Sequence, residues 1–239
     1  MASRDLPQAS AMPNELILPL EPGDRLTREE FERRYDAMPH IKKAELIEGV
    51  VYMPAPVRLE KHAGPHADLI WWLTHYRVYT PGVRSASNPT VRLDLDNEPQ
   101  PDGLLIIEPS HGGKVVISAD DYIEGSPDLA AEVAASTASF DLHTKFRVYR
   151  RNHVREYIVW RVLDEAIDWF VLHQSQYEPL PLSPAGYYQS EVFPGLWLDP
   201  AALARADLAT VLRVLEQGLA SPEHVAFVAQ LQQAASQRG

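Results

Sequence analysis

Apolar and polar positions along the chain switch between a helical period and a strand period, and the switches outline the elements. Thr27-Arg28-Glu29-Glu30 places Thr at an N-cap with Glu three residues on, a capping box. Phe31 and Tyr35 follow at i,i+4 on the buried face of a short helix. Residues 45–53 (ELIEGVVYM) are rich in β-formers, and Gly49 in their middle predicts a bulge or a tight hairpin bend. Over 59–79, Ala63, Leu69, Ile70, Leu73 and Tyr76 recur at helical spacing, and Pro65 suits a first turn rather than an interior.

A strand-rich stretch comes next. Residues 91–95 alternate, and 103–107 (GLLII) form a short continuous apolar run, the pattern of a strand covered on both faces. Residues 128–135 and 154–162 predict two further strands, with a compact helix over 141–151 between them. Residues 167–172 predict a fifth strand, antiparallel after a turn at Asp164-Glu165. Residues 174–198 are rich in Pro and Tyr and read as an irregular edge ending in Phe193-Pro-Gly-Leu-Trp197. Helical periodicity returns over 201–219, and Ser221-Pro222 supplies the N-cap and N1 of a last helix. The stripe Leu208, Val211, Leu212, Leu215 suits packing on the body or pairing with a second copy in a homodimer; its spacing selects neither. The expected organisation is a loosely ordered arm over 1–24, an α/β domain over 25–199 and a C-terminal helical extension over 200–239.

Composition narrows the chemistry. The 239 residues contain no Cys, which excludes thiol catalysis, disulfides and Cys-based metal centres. His, carboxylates and backbone oxygens are left as metal ligands. No run approaches the roughly 20 apolar residues of a membrane span, and the first twenty residues lack the pattern of a secretory signal. A cytoplasmic protein without membrane contact is the plain expectation. The GxGxxG, P-loop, HExxH and GxSxG patterns are all missing. The net charge of −11 has the wrong sign for a phosphate-binding surface, yet it is uneven. Residues 94–132 hold ten acids against one Lys, whereas 140–161 hold six Lys or Arg against two acids. An acidic metal site beside a basic strip able to meet phosphate fits that division.

Three residues stand out for chemistry. Asp102 follows Pro101 and opens the apolar run of 103–107; Pro-Asp-Gly is also a common turn composition, so a turn role stands beside a ligand role. Within 129–135, alternation puts Leu129, Ala131 and Val133 on one strand face and Ala130, Glu132 and Ala134 on the other. A carboxylate between two alanines in so apolar a run must be paired, hydrogen-bonded or bound to a cation, unless that face is a solvated edge. Lys145 falls among Leu142, Phe146, Val148 and Tyr149 on the core-facing arc of its helix. It can reach a buried anion, snorkel at the rim or pair with Asp141 one turn earlier. Two carboxylates with a backbone carbonyl, that of Val133, suit Mg²⁺ or Mn²⁺, and a nearby ammonium suits phosphodiester hydrolysis.

These residues, in this order, resemble a known family. Pro101-Asp102, Glu132-Val133-Ala134-Ala135-Ser136-Thr137, Asp141-x-x-x-Lys145-x-x-x-Tyr149 and Val154-Arg155-Glu156-Tyr157-Ile158-Val159 are similar to the Uma-two family of restriction-endonuclease-like proteins, within the PD-(D/E)XK nuclease superfamily. Glu45-Leu46-Ile47-Glu48-Gly49, His62 and the 193–197 pentapeptide extend the resemblance over about 26–199. It implies a restriction-endonuclease-like α/β fold with a central mixed sheet flanked by helices, and Mg²⁺-dependent cleavage of DNA. Carried over by position, Asp102 and Glu132 are metal ligands, Lys145 the catalytic cation and Glu45 an auxiliary acid. The superfamily's Lys two residues after the Glu is Ala134 here, and the family pattern moves that Lys onto the following helix, at Lys145. His62 and His66 invite a metal reading at i,i+4, but with Pro65 between them and no third obvious ligand they read as surface or capping residues. Trp71 and Trp72 read as packing rather than a base-stacking platform, and Phe140, Tyr149, Tyr157 and Trp160 as core. The alternatives are a nuclease-fold binding or assembly module with weak or no catalysis, and hydrolysis of RNA or a smaller phosphodiester.

Overall fold

The computed structural model describes residues 17–53 and 58–238. In chain order the helices and strands are α1 (Arg28–Asp36), the hairpin β1 (Glu45–Ile47) and β2 (Val50–Tyr52), α2 (Gly64–Val78), β3 (Val83–Ser87), β4 (Val91–Arg92), β5 (Gly103–Ile107), β6 (Val116–Ile117), β7 (Ile123–Glu124) and β8 (Leu129–Ala134). Then follow α3 (Ala138–Phe140), a π-helical turn Asp141–Lys145, α4 (Phe146–Arg151), β9 (Glu156–Arg161), β10 (Ala166–His173), β11 (Gln176–Pro179), β12 (Tyr188–Gln189), β13 (Trp197–Leu198), α5 (Pro200–Ala204), α6 (Leu208–Leu219) and α7 (Pro222–Ser236).

A six-stranded sheet in the order β11-β10-β9-β8-β5-β3 forms the centre. β8 and β9 run parallel, with Glu132 opposite Val159, and the other neighbours are antiparallel. A parallel pair needs a crossover, and the helical segment from α3 to α4 supplies it. The mixed sheet flanked by helices is therefore present as expected. Alternation along β8 works as the pattern required: Leu129, Ala131 and Val133 join Leu69, Trp72, Leu73 and Tyr76 of α2 in the main core. Ala130 and Ala134 face the other way, against Tyr149, Val154, Tyr157 and Val159. β5 is covered on both faces too, with Leu105 in the main core and Leu104 and Ile106 against Val91, Val115 and Ile123. Gly103 lets α2 come close, because a Cβ there would lie 3.0 Å from Leu73 Cδ1.

Local chemistry explains where elements begin and end. Thr27 caps α1 by accepting from the Glu30 amide at 3.4 Å, while the Glu30 carboxylate is taken by Arg33 and Arg34 instead of closing the box. The β1–β2 turn puts Glu48 and Gly49 both at positive φ, the two-residue turn whose twist suits a hairpin. Of the arm expected over 1–24, the part up to residue 16 lies outside the described residues. The remainder runs along the hairpin, with Leu20 buried and Gly23 N donating to Val51 O at 2.8 Å.

Three sequence expectations change. The alternating run 91–95 is a strand only over β4, because Asp94 accepts from the Asp96 amide and the Asn97 side chain and turns the chain back, leaving a single bridge to Asn97. The edge over 174–198 begins with the turn and second strand of a hairpin, β10–β11, turned at Gln174-Ser175 with both residues at positive φ. The single helix over 201–219 is two, broken at Ala206 (φ 56°), because Asp207 caps the Thr210 amide and starts α6 anew. Val211 and Leu215 of α6 and Phe227 and Leu231 of α7 turn into the main core, so the stripe packs on the body. No described helix is long and apolar enough to cross a membrane.

Glu98 is buried beside Glu32, Arg92 and Arg28. Burial, reinforced by Glu32, pushes its carboxyl up to about 8. An acid whose folded value exceeds its unfolded one contributes stability that is complete below about 4.5 and is lost as pH rises through about 8. Glu98→Gln removes this penalty. Chemical denaturation should find the variant about 1–3 kcal/mol more stable than wild type at pH 8, with the difference shrinking towards zero near pH 4. An equal difference at both pH values would contradict this reading.

Candidate functional site

The sheet ends where β5 and β8 stop pairing. Gly103 is the last β5 residue opposite β8, facing Ala131. One residue earlier, the Asp102 side chain takes over the ladder: Oδ2 accepts from the Val133 amide at 2.8 Å, across the peptide that joins Glu132 to Val133. Asp102 is thereby held one peptide from Glu132. Lys43 Nζ lies 3.3 Å from its Oδ1 and His62 Nε2 lies 3.3 Å from its Oδ2. Burial alone would raise the Asp102 carboxyl, but His62, Lys43 and the Val133 N–H outweigh it and hold the group well below the usual carboxylate range. Asp102 is ionised.

Glu132 projects from β8 towards the crossover helix, as the alternation required. Its Oε1 accepts from Lys145 Nζ at 2.9 Å and from the Tyr149 hydroxyl at 2.9 Å. Lys145 also donates to Glu45 Oε1 at 2.8 Å, and Glu45 is steadied by the Gln100 amide at 2.7 Å. Asp102, Glu132 and Lys145 are each only 3% exposed and Glu45 7%. Lys145 closes the π-helical turn, and the wider turn leaves Asp141 and Lys145 both buried. The ammonium reaches past Asp141 to Glu45 and Glu132, so the i,i+4 pair is not what satisfies it. Burial works against the charge on Lys145, but Glu132, Glu45 and Asp141 more than offset it, and the lysine is a cation. Burial pushes the Glu132 carboxyl up, opposed by Lys145 and reinforced by Asp102, Asp141 and Glu45. Tyr149 stays protonated, driven up by burial and then by Glu132, which suits it as a donor.

All four sequence-selected residues, Glu45, Asp102, Glu132 and Lys145, line one cavity of about 1310 Å³, together with Val133. Ala134, two residues after Glu132, is fully buried against Tyr149 and Tyr157, and the ammonium beside Glu132 arrives from Lys145. His62 and His66, one helical turn apart, both converge on Asp102: His66 Nε2 lies 2.9 Å from the Asp102 carbonyl oxygen. Both are half-buried, and His66 meets a main-chain carbonyl as a capping residue does, while His62 reaches the Asp102 carboxylate. The i,i+4 spacing was the available signal, but nothing local pointed to an aspartate about forty residues on. Phe140 is not core; it lines the cavity with Tyr52, ring centroids 4.5 Å apart.

The basic strip over 140–161 is mostly committed within the protein. Arg147 and Arg151 face Glu48, Arg155 pairs with Asp128 at 2.7 Å, and Arg161 pairs with Asp164 and Asp168. The cations at the cavity are Lys43, Arg58 and Lys61 besides Lys145.

Among the described residues, no group of three or more His, Asp or Glu side chains forms a ready metal cage. The donors fit a hard divalent ion in kind: Asp102 and Glu132 carry carboxylates and Val133 a main-chain carbonyl, and all three residues line one cavity. Mg²⁺ sites commonly use one or two carboxylates and complete their shell with water and substrate phosphate.

Comparison with known proteins identifies the family. A solved structure described as a "putative nuclease belonging to DUF820" from Anabaena variabilis shares 13% identity, covering 72% of this chain and 97% of that one at a TM-score of 0.49. No curated protein matches. The Uma2 family model, described as "putative restriction endonuclease", matches residues 28–201. That span is most of the chain and includes Glu45, Asp102, Glu132 and Lys145, and the chain belongs to the Uma2 family.

Proposed function

We propose that the chain is a divalent-metal-dependent DNA endonuclease, with Asp102, Glu132 and the Val133 carbonyl holding Mg²⁺ or Mn²⁺ and Lys145 assisting at the phosphate. The observation that carries this reading is the buried Lys145 bridging Glu45 and Glu132 in the cavity that Asp102 also lines. A bound ion there supplies Lewis-acid polarisation of a phosphate and a more acidic water.

The chain's own residues do the positioning. The Val133 N–H and His62 fix the Asp102 carboxylate, and Tyr149 fixes Glu132. Glu45 holds Lys145 with its charge intact, so the ammonium can stabilise negative charge developing on the phosphate oxygens. Burial at the cavity floor keeps bulk water from weakening these interactions.

A second reading, a nuclease-fold binding module, draws on the net charge of −11 and on the paired arginines of 147–161. Plasmid cleavage separates the two. The purified protein should nick or linearise supercoiled DNA with Mg²⁺ or Mn²⁺, lose the activity in chelator, and lose it to background on Glu132→Gln. Cleavage unchanged in Glu132→Gln, or indifferent to chelator, would overturn the assignment.

A further inference from the structure

We propose that the cavity takes an unpaired nucleic-acid strand, so that the preferred substrate is single-stranded DNA or a frayed or overhanging end rather than an intact duplex. The inference rests on the phosphodiester reading above and names its substrate class. Its first support is depth. Every charged group at the floor is nearly inaccessible, so a scissile phosphate must come inside the cavity to reach them. A duplex is stiff, and bringing one of its phosphates inward requires deforming paired, stacked neighbours. A single strand bends without that cost.

The second support is the chemistry of the walls. Tyr52 from β2 and Phe140 at the end of α3 pack at 42° and are both half-buried at the cavity. Leu163, 58% exposed, lies on the lining as well. Flat apolar surface beside an acidic floor is wasted on a sugar-phosphate backbone, but it suits stacking of unpaired bases. Arg58 and Lys61, exposed and without an ion pair among the described residues, lie on the same lining and suit the phosphates of the strand.

The third support is what the exterior does not offer a duplex. Of the arginines over 147–161, Arg147 and Arg151 face Glu48, Arg155 faces Asp128 and Arg161 faces Asp164 and Asp168. Arg150 alone among them is held by neutral partners, Ser175 O and Gln176, and the net charge is −11. A duplex held along its backbone needs several free cations in register.

Fluorescence anisotropy tests the proposal on the full chain. One labelled oligonucleotide is titrated alone and annealed to its complement, in Ca²⁺ at fixed salt, with plasmid cleavage run in parallel. The single strand should bind at least about tenfold more tightly than the duplex. Phe140→Ala should weaken strand binding by about fivefold or more, Phe140→Trp should retain it, and thermal unfolding identifies any variant that fails to fold. Equal or tighter binding of duplex, or wild-type strand affinity in a folded Phe140→Ala, overturns the inference. If duplex plasmid is still cut in a metal-dependent way, the nuclease reading survives that failure. Absence of binding to either form, with no cleavage, overturns both.

Discussion

Lys145→Met should destabilise the protein by about 3–5 kcal/mol, the cost of removing one partner from a buried ion pair. The ammonium is 2.8 Å from Glu45 and 2.9 Å from Glu132, and all three groups are buried. Methionine keeps an apolar stem but leaves two carboxylates, Glu45 and Glu132, without their shared counter-ion. Tyr149 and the Gln100 amide each satisfy one of them in part, which keeps the cost below that of two isolated charges. The variant should be least stable at neutral and higher pH, because acid can neutralise Glu132, whose carboxyl burial already raises. Denaturant unfolding measures the change. Pairing Lys145→Met with Glu132→Gln should recover part of the loss, since one stranded charge is then gone. A single variant within about 1 kcal/mol of wild type, well short of the cost of an uncompensated buried charge, would mean that the triad is not a buried ion pair.

Much of this arrangement was legible in the chain, and the parts that were not share a cause. Glu132 could be placed because strand alternation is local: Ala130 and Ala134 fix its face, and the apolar run fixes its depth. Lys145 could be placed on the inner arc, but its partner could not. Asp141 was the local candidate, and the π-helical turn that favours Glu45 and Glu132 is not written in helical spacing. Glu45 entered only through the family resemblance, since a contact across a hundred residues leaves no trace in periodicity. His62 and His66 on Asp102 were missed for the same reason. The charge map misled in the opposite way. Counting Lys and Arg over 140–161 finds a basic strip, but a count is blind to Glu48, Asp128, Asp164 and Asp168, which the fold brings against it. The break at Ala206 and the Gln174-Ser175 turn depend on residues at positive φ that are not Gly, a choice made by Asp207 capping and by strand pairing.

The second large effect is expected at Asp102. Its carboxylate is ionised and anchored by the Val133 amide beside Glu132, so it brings a full negative charge to the edge of the Val133 peptide. Asp102→Asn keeps an oxygen for the Val133 N–H and so keeps the β5–β8 junction, whereas Asp102→Ala would strand a buried amide at about 1–3 kcal/mol. What Asn removes is the charge and one hard ligand. With two side-chain ligands in the proposed centre, losing one leaves a single carboxylate and a carbonyl, too little to hold a divalent ion against its hydration. The affinity should fall at least about a hundredfold, or about 2.7 kcal/mol. Calorimetric titration of Mn²⁺ into wild type and Asp102→Asn, both checked for folding by thermal unfolding, puts this to the test. A saturable site in wild type that Asp102→Asn abolishes is the predicted result; no site in wild type, or the same affinity in both proteins, would contradict the metal centre.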